Sequence, residues 1–123
     1  MTPIVFALVA VAGGAGAGLR YLLDLGVTAL AGARFPWGTL VVNVVGSFTL
    51  GVLAGTVTDA DLLAVFGIGL LGGFTTFSSV ASASAVLWDE RRTTASVANA
   101  FGTLVLTVAA ASAGLVCAGA LAG

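Results

Sequence analysis

Polar side chains recur one helical turn apart in an uncharged part of the chain. Thr39, Asn43 and Ser47 are spaced by four residues inside the uncharged run 35–58. Because residues four apart share one face of an α-helix, this spacing predicts a stripe of hydroxyl and amide groups. Two interpretations stay open: hydrogen bonding between packed helices, or a row of donors along a permeation path.

A second polar segment, residues 72–79, reads Gly-Gly-Phe-Thr-Thr-Phe-Ser-Ser. Glycine is a poor helix former, and the side chains of Thr and Ser compete with helical hydrogen bonds. The segment therefore predicts a helix that is broken near its centre. At membrane depth such a break is tolerated where it is buried in protein or lines a cavity. The carbonyl oxygens that it frees are hard ligands that can hold a small cation.

Two opposite charges, Arg20 and Asp24, lie one turn apart near the end of the first apolar run. This spacing lowers the cost of keeping both groups ionised. Arg20 could extend its guanidinium to the membrane surface, or it could lie at a water-filled vestibule and attract anions. The residues alone leave both interpretations open.

The composition excludes most classes of protein. The chain has 123 residues, of which 59% are hydrophobic and 7% charged, and its mean hydropathy is +1.19. A soluble domain carries about 25% charged residues, so nine charges cannot cover a water-facing surface. No basic patch for nucleic acid is available. Without histidine, and with Cys117 as the single cysteine, the usual catalytic couples and an internal disulfide are excluded, and we expect no enzyme activity.

The charged residues divide the sequence into four uncharged runs, each able to cross a bilayer once, since a spanning helix needs about 20 residues. We therefore predict an all-α membrane protein with one four-helix transmembrane domain over residues 1–123. Small residues four apart predict faces where helices approach closely, with Gly14 and Gly18 in helix 1 and Gly69 and Gly73 in helix 3. The predicted helices are residues 3–30, 38–57, 60–88 and 94–121.

The arginines outside the helices predict a single orientation. Arg34, Arg91 and Arg92 all lie in the connections 31–37 and 89–93, which four helices place on the same side. By the positive-inside rule these connections lie in the cytoplasm and both termini lie outside. We expect a multi-pass protein of the cell membrane.

Helices 2, 3 and 4 carry no acidic residue in their interior, whereas amides, hydroxyls and aromatic rings are present. Neutral donors and the positive edge of an aromatic ring suit a dehydrated anion. A small proton-coupled multidrug exporter is the alternative from another class. It needs a carboxylate within the membrane, for which Asp24 is the only candidate.

Three motifs, residues 13–21 (GGAGAGLRY), 38–48 (GTLVVNVVGSF) and 72–78 (GGFTTFS), resemble the CrcB/Fluc fluoride channels. The likeness extends over essentially the whole chain in length, helix number and motif order. It implies an antiparallel dimer, of the dual-topology type, of four-helix subunits. Such a dimer would let fluoride leave the cytoplasm passively. The concentration of fluoride in the cytoplasm, and with it the toxicity of fluoride, would fall.

The resemblance also implies site residues. The backbone carbonyls of Gly72 and Thr75 would hold a structural Na⁺ at the dimer interface. Asn43 would hold fluoride or orient a pore phenylalanine, Arg20 would serve the vestibule, and Phe77 would be the first pore phenylalanine.

A polar track would continue the fluoride pathway. Ser78 and Ser79 begin it on matching positions, and Thr39 joins it from the helix 2 stripe. Thr103 and Thr107 fall where the family usually has Tyr and Ser in helix 4.

The sequence departs from the family pattern at two positions. Val80 replaces the second phenylalanine and Ala83 the usual glutamate. Together with the single predicted orientation, these changes favour a heterodimer with an oppositely inserted paralogue over a homodimer. A non-conducting partner subunit is a further alternative.

Overall fold

The computed structural model describes residues 1–122, and four long helices account for most of them. All four are long and apolar enough to cross a membrane, which confirms the predicted all-α membrane protein. The ends differ from the predicted ones by no more than one residue. The helices are helix 1 (Pro3–Ala31), helix 2 (Trp37–Thr56), helix 3 (Ala60–Asp89) and helix 4 (Thr93–Ala122).

Helix 1 has well-defined ends. The backbone N–H of Val5 donates to the Thr2 hydroxyl at 3.2 Å, and Pro3 occupies the first turn, where its missing N–H does no harm. At the other end Gly32 has φ 85° and donates its N–H to the Thr28 carbonyl at 2.8 Å. Glycine suits this conformation because it has no Cβ to clash with the backbone.

Helices 2 and 4 approach each other closely along a line of small residues. A Cβ on Gly51 would overlap the carbonyl oxygen of Ala111, and a Cβ on Gly114 would overlap that of Phe48. Glycine at these two positions lets the two backbones come into direct contact, which is how helices associate in lipid.

Helix 1 packs against the first half of helix 3 through glycines that differ in part from the predicted ones. A Cβ on Gly16 would overlap the Leu70 carbonyl oxygen, and one on Gly73 would overlap that of Gly13. A Cβ on Gly14 or Gly18 would have nothing within 4 Å, so these two glycines do not contact another helix of the described chain. Helix 1 carries small residues on several faces, and their spacing alone does not select the face that meets helix 3.

Helix 3 consists of two halves. Helix 3a (residues 60–74) is capped by Asp59, whose carboxylate accepts the Leu62 N–H at 2.9 Å. It has i→i+5 hydrogen bonding over Leu63–Leu71. Its helical structure ends at Phe74, and helix 3b (Ser78–Asp89) follows. In the short segment between them, Thr75 has extended backbone with ψ 159°.

The single chain buries little of its surface. In an apolar stretch of 18 residues within each span, only 11–28% of the residues are buried within the chain. Among the described residues, Val42 and Asn99 are the largest fully buried side chains. Most of each helix is therefore left for lipid or for another protein chain.

Candidate functional site

Asn43 of helix 2 binds the interruption in helix 3 through two hydrogen bonds to the backbone of Thr76. Its Nδ2 donates to the Thr76 carbonyl at 2.9 Å, and its Oδ1 accepts the Thr76 N–H at 2.8 Å. The side chain is buried, with 6% of its surface exposed. A primary amide offers one acceptor and two donors, so it can pair with both backbone polar groups of one residue and still keep one N–H.

Hydroxyl groups end helix 3a and begin helix 3b. The Thr75 hydroxyl donates to the Leu71 carbonyl at 2.9 Å, while the Ser79 N–H donates to the Thr76 hydroxyl at 3.1 Å. That hydroxyl also lies 3.2 Å from the Ser79 Oγ and 3.3 Å from the Ser78 Oγ. At Ser79 a side-chain oxygen thus takes the place of a helical carbonyl, as expected where Thr and Ser compete with the helical ladder.

Several backbone carbonyls lose their helical donors as a result, among them those of Gly72 and Thr75. In a continuous helix the Thr76 N–H would serve the Gly72 carbonyl and the Ser79 N–H would serve that of Thr75. Here the first donates to Asn43 and the second to the Thr76 hydroxyl. Within residues 1–122 no group of three His, Cys, Asp or Glu side chains could hold a metal. A cation at this place would therefore depend on backbone oxygens.

A pocket of about 250 Å³ lies between helices 2, 3 and 4 beside the segment 75–77, and we call it the helix 4 pocket. It brings together four predicted pathway residues, Asn43, Phe77, Thr103 and Thr107, and none of its lining residues is charged. Its lining residues are Asn43, Ser47, Thr75, Thr76, Phe77, Val80, Ala100, Thr103, Leu104 and Thr107.

Thr103 has an unusual environment in this pocket. Its hydroxyl oxygen is buried and has no hydrogen-bond partner within residues 1–122. The neighbouring Thr107 hydroxyl, in contrast, donates to the Thr103 carbonyl at 2.7 Å. A buried hydroxyl without a partner is costly, which makes Thr103 an unusual lining residue of the pocket.

A second pocket of about 250 Å³ contains Arg20, and we call it the Arg20 pocket. Thr39 and Ser79 line this pocket and not the helix 4 pocket, so the polar stripe of helix 2 divides between the two. Thr76 lines both, and Ser78, which is exposed, lines neither. The lining residues are Ala17, Arg20, Tyr21, Asp24, Thr39, Val42, Thr76 and Ser79.

Asp24 lies against the start of helix 2. A Cβ on Gly38 would overlap its Oδ1, and the Thr28 hydroxyl lies 3.5 Å from the same oxygen. Helix 2 has no side-chain cap of its own at Pro36. A carboxylate at the N-terminal end of a helix is favourable by about 0.3–1 kcal/mol, so Asp24 stabilises this junction.

A buried polar cluster that the sequence did not predict lies between helices 3b and 4. Asn99 is 1% exposed, and its Nδ2 donates to the Ser84 Oγ at 2.9 Å and to the Val80 carbonyl at 3.3 Å. The Ser96 hydroxyl donates to the Ser84 carbonyl at 2.7 Å. An amide within the uncharged run 93–123 is the same signal that identified Asn43, and it could have identified Asn99.

Comparisons with known proteins show which family the chain belongs to. The family model described as CrcB-like protein, Camphor Resistance (CrcB), matches residues 7–115. The fluoride-specific ion channel FluC 1 of Rubrobacter xylanophilus is 46% identical over 93% of this chain and 93% of its own length. The FluC channel of Agrobacterium fabrum is 40% identical over 89% of this chain and 91% of its own.

A third relative, the FluC channel of Mesorhizobium japonicum, is 37% identical over 88% of this chain and 90% of its own length. All three relatives carry the name of an ion channel and none that of an enzyme. The resemblance found in the three motifs is therefore confirmed, and the chain belongs to the CrcB family of multi-pass membrane proteins.

Proposed function

We propose that the chain is a subunit of a fluoride channel through which fluoride leaves the cytoplasm passively. The observation that carries this proposal is the helix 4 pocket, where amide, hydroxyl and aromatic groups meet without a charged residue. Such groups can replace the water around a small anion without trapping it. The names of the relatives support fluoride as the ion.

The two pockets suggest the order of events along the path. Arg20 attracts anions to its pocket from the water, where Thr39 and Ser79 offer hydroxyl donors. Thr76 lines both pockets, so its neighbourhood is the passage between them. Beyond it, the Asn43 amide and the unpartnered Thr103 hydroxyl can donate to the dehydrated ion.

The subunit pairs with an oppositely inserted paralogue in an antiparallel heterodimer. Phe77 is 85% exposed in the single chain, so its ring needs another surface to form a closed path. Val80 lines the pocket where an aromatic ring would supply a positive edge, and a partner subunit can supply that ring. The arginine distribution, with all three loop arginines on one side, supports one orientation for this chain.

A structural Na⁺ at the dimer interface fits the residues present. The Gly72 and Thr75 carbonyls have lost their helical donors, and Gly72 is exposed while Thr75 is half-buried. Two such oxygens from each subunit would give four ligands of the kind that monovalent cations accept from protein backbones. When bound, the ion supplies a fixed positive charge that joins the two broken helices.

The test is reconstitution of the chain in liposomes, alone and together with its paralogue, with fluoride efflux followed by a fluoride electrode. We expect efflux from liposomes that contain the pair. Absence of efflux in both preparations would overturn the channel proposal. Phe77→Ile in the assembled pair then separates a conducting subunit, which loses flux, from a non-conducting partner, which does not.

Thr103→Val should change stability and transport in opposite directions. The change keeps the side-chain shape and removes a buried hydroxyl without a partner. The free energy of unfolding should therefore rise by about 1 kcal/mol. Fluoride efflux should fall about fivefold to tenfold, because one donor to the ion is lost. Thr107→Val is the matched control, since that hydroxyl already donates to the Thr103 carbonyl and should affect efflux less. Equal loss in both variants would contradict the role of Thr103.

A further inference from the structure

A pocket lies at the end of the molecule that carries the loop arginines, outside the proposed ion path. Its volume is about 630 Å³, and we call it the arginine pocket. It opens between the connection 31–37, helix 3b and the turn that leads into helix 4. Its lining residues are Ala33, Arg34, Pro36, Ser82, Ala83, Val86, Leu87, Glu90 and Arg92.

Hydrogen bonds of Arg92 to backbone carbonyls link the segments that form this pocket. The Arg92 guanidinium donates through Nη1 to the Arg34 carbonyl oxygen, which joins the two connections. The Arg92 N–H also donates to the Leu87 carbonyl at 2.9 Å and closes the end of helix 3b. The pocket wall is thus a fixed part of the fold.

Arg91 lies in the same turn but does not line the pocket. It has φ 60°, a conformation that usually falls to glycine after a helix, and its side chain is exposed. Arg91 therefore offers a comparison for the two arginines that do line the pocket, since it carries the same charge at the same end of the molecule.

Two tryptophans place the pocket at the depth of lipid headgroups. Trp37 begins helix 2 and Trp88 lies near the end of helix 3b, and they are 45% and 59% exposed. They are the only tryptophans of the chain. Exposed tryptophan is enriched where a membrane meets water, so this end of the helices lies at the boundary between the membrane and water.

We propose that the arginine pocket binds the headgroup of a singly charged anionic phospholipid from the leaflet that faces these connections. Arg34 and Arg92 against Glu90 leave the lining with one net positive charge, which matches one phosphodiester. Guanidinium groups bind phosphate oxygens in pairs, which fixes the headgroup. Val86, Leu87 and Pro36 give the same pocket an apolar wall for the start of the acyl chains. A free inorganic anion would gain nothing from that wall.

The experiment measures lipid binding to the purified full-length protein in detergent micelles, by native mass spectrometry and by the melting temperature. Phosphatidylglycerol should remain bound and raise the melting temperature, whereas phosphatidylcholine and inorganic phosphate should not. Arg34→Gln should weaken binding of phosphatidylglycerol about fivefold, the effect of one basic residue near a membrane surface. Arg91→Gly removes the same charge outside the pocket and should leave binding unchanged.

Glu90→Gln provides a gain-of-binding variant that does not depend on losing an arginine. It raises the net positive charge of the lining, so phosphatidylglycerol should bind more tightly. Equal losses in Arg34→Gln and Arg91→Gly would overturn the proposal in favour of unspecific surface charge. Equal binding of phosphatidylglycerol and phosphatidylcholine, or stabilisation by inorganic phosphate alone, would also overturn it. Fluoride efflux is not a readout here, so this outcome is separate from that of the channel proposal.

Discussion

Replacement of Asn43 by alanine is expected to lower fluoride efflux by about a hundredfold or more. The change removes both hydrogen bonds between helix 2 and the backbone N–H and carbonyl of Thr76. An unpaired buried N–H or carbonyl costs about 1–3 kcal/mol, and two of them together reach the roughly 3 kcal/mol that correspond to a hundredfold change. The segment between helices 3a and 3b would then lose the geometry that presents Thr75, Thr76 and Phe77 to the helix 4 pocket.

Asn43→Asp separates the structural part of this effect from the chemical part. Aspartate has nearly the same shape and keeps an oxygen that accepts the Thr76 N–H, but it lacks the Nδ2 donor. It also brings a negative charge into a pocket whose lining has none. We expect this variant to keep more of the thermal stability than Asn43→Ala and still to lose fluoride efflux.

Ser47→Ala is the matched control, because Ser47 lines the same pocket from the same helix. This variant should retain efflux within about twofold of the unchanged chain, in an assay with a fluoride electrode on liposomes that contain the assembled pair. Efflux from Asn43→Ala close to that of the unchanged chain, at equal protein insertion, would contradict the proposed role of the amide.

The sequence predicts the helices well because their signal is local. Charge is nearly absent from the spans, and charged residues such as Asp59 and Asp89 lie close to helix ends. A few residues therefore decide each boundary. The chemistry of residues 72–79 is local too. Glycine followed by hydroxyl residues weakens a helix whatever surrounds it, and the structure has non-helical backbone at Thr75.

The partners of each side chain depend on which helix faces meet, and this is what the sequence does not contain. The spacing of Thr39 and Asn43 predicts a shared stripe, but helix 1 packs against one part of it and helix 4 against the other. The two residues therefore line different pockets. Asn99 carries the same kind of signal as Asn43, and its contacts with Ser84 and Val80 follow only from how helix 3b lies on helix 4.

Gly16→Ala and Gly18→Ala should have effects of opposite sign, although they are the same chemical change two residues apart in helix 1. A Cβ on Gly16 would overlap the Leu70 carbonyl oxygen and would lie 2.9 Å from the Phe74 nitrogen. Both are backbone atoms that cannot rotate away, so helix 1 must move off helix 3a. Overpacking of this kind costs about 1–3 kcal/mol or more.

The displacement would also reach the ion path, because Phe74 directly precedes the segment held by Asn43. We therefore expect Gly16→Ala to lower both the melting temperature in detergent and fluoride efflux. Gly18 has nothing within 4 Å of a Cβ, and alanine is the better helix former by up to about 1 kcal/mol, so Gly18→Ala should keep or raise the melting temperature. If Gly18→Ala proved the more harmful variant, helix 1 would have to present a different face to helix 3. The Arg20 pocket, which shares that face through Ala17, would then have different lining residues.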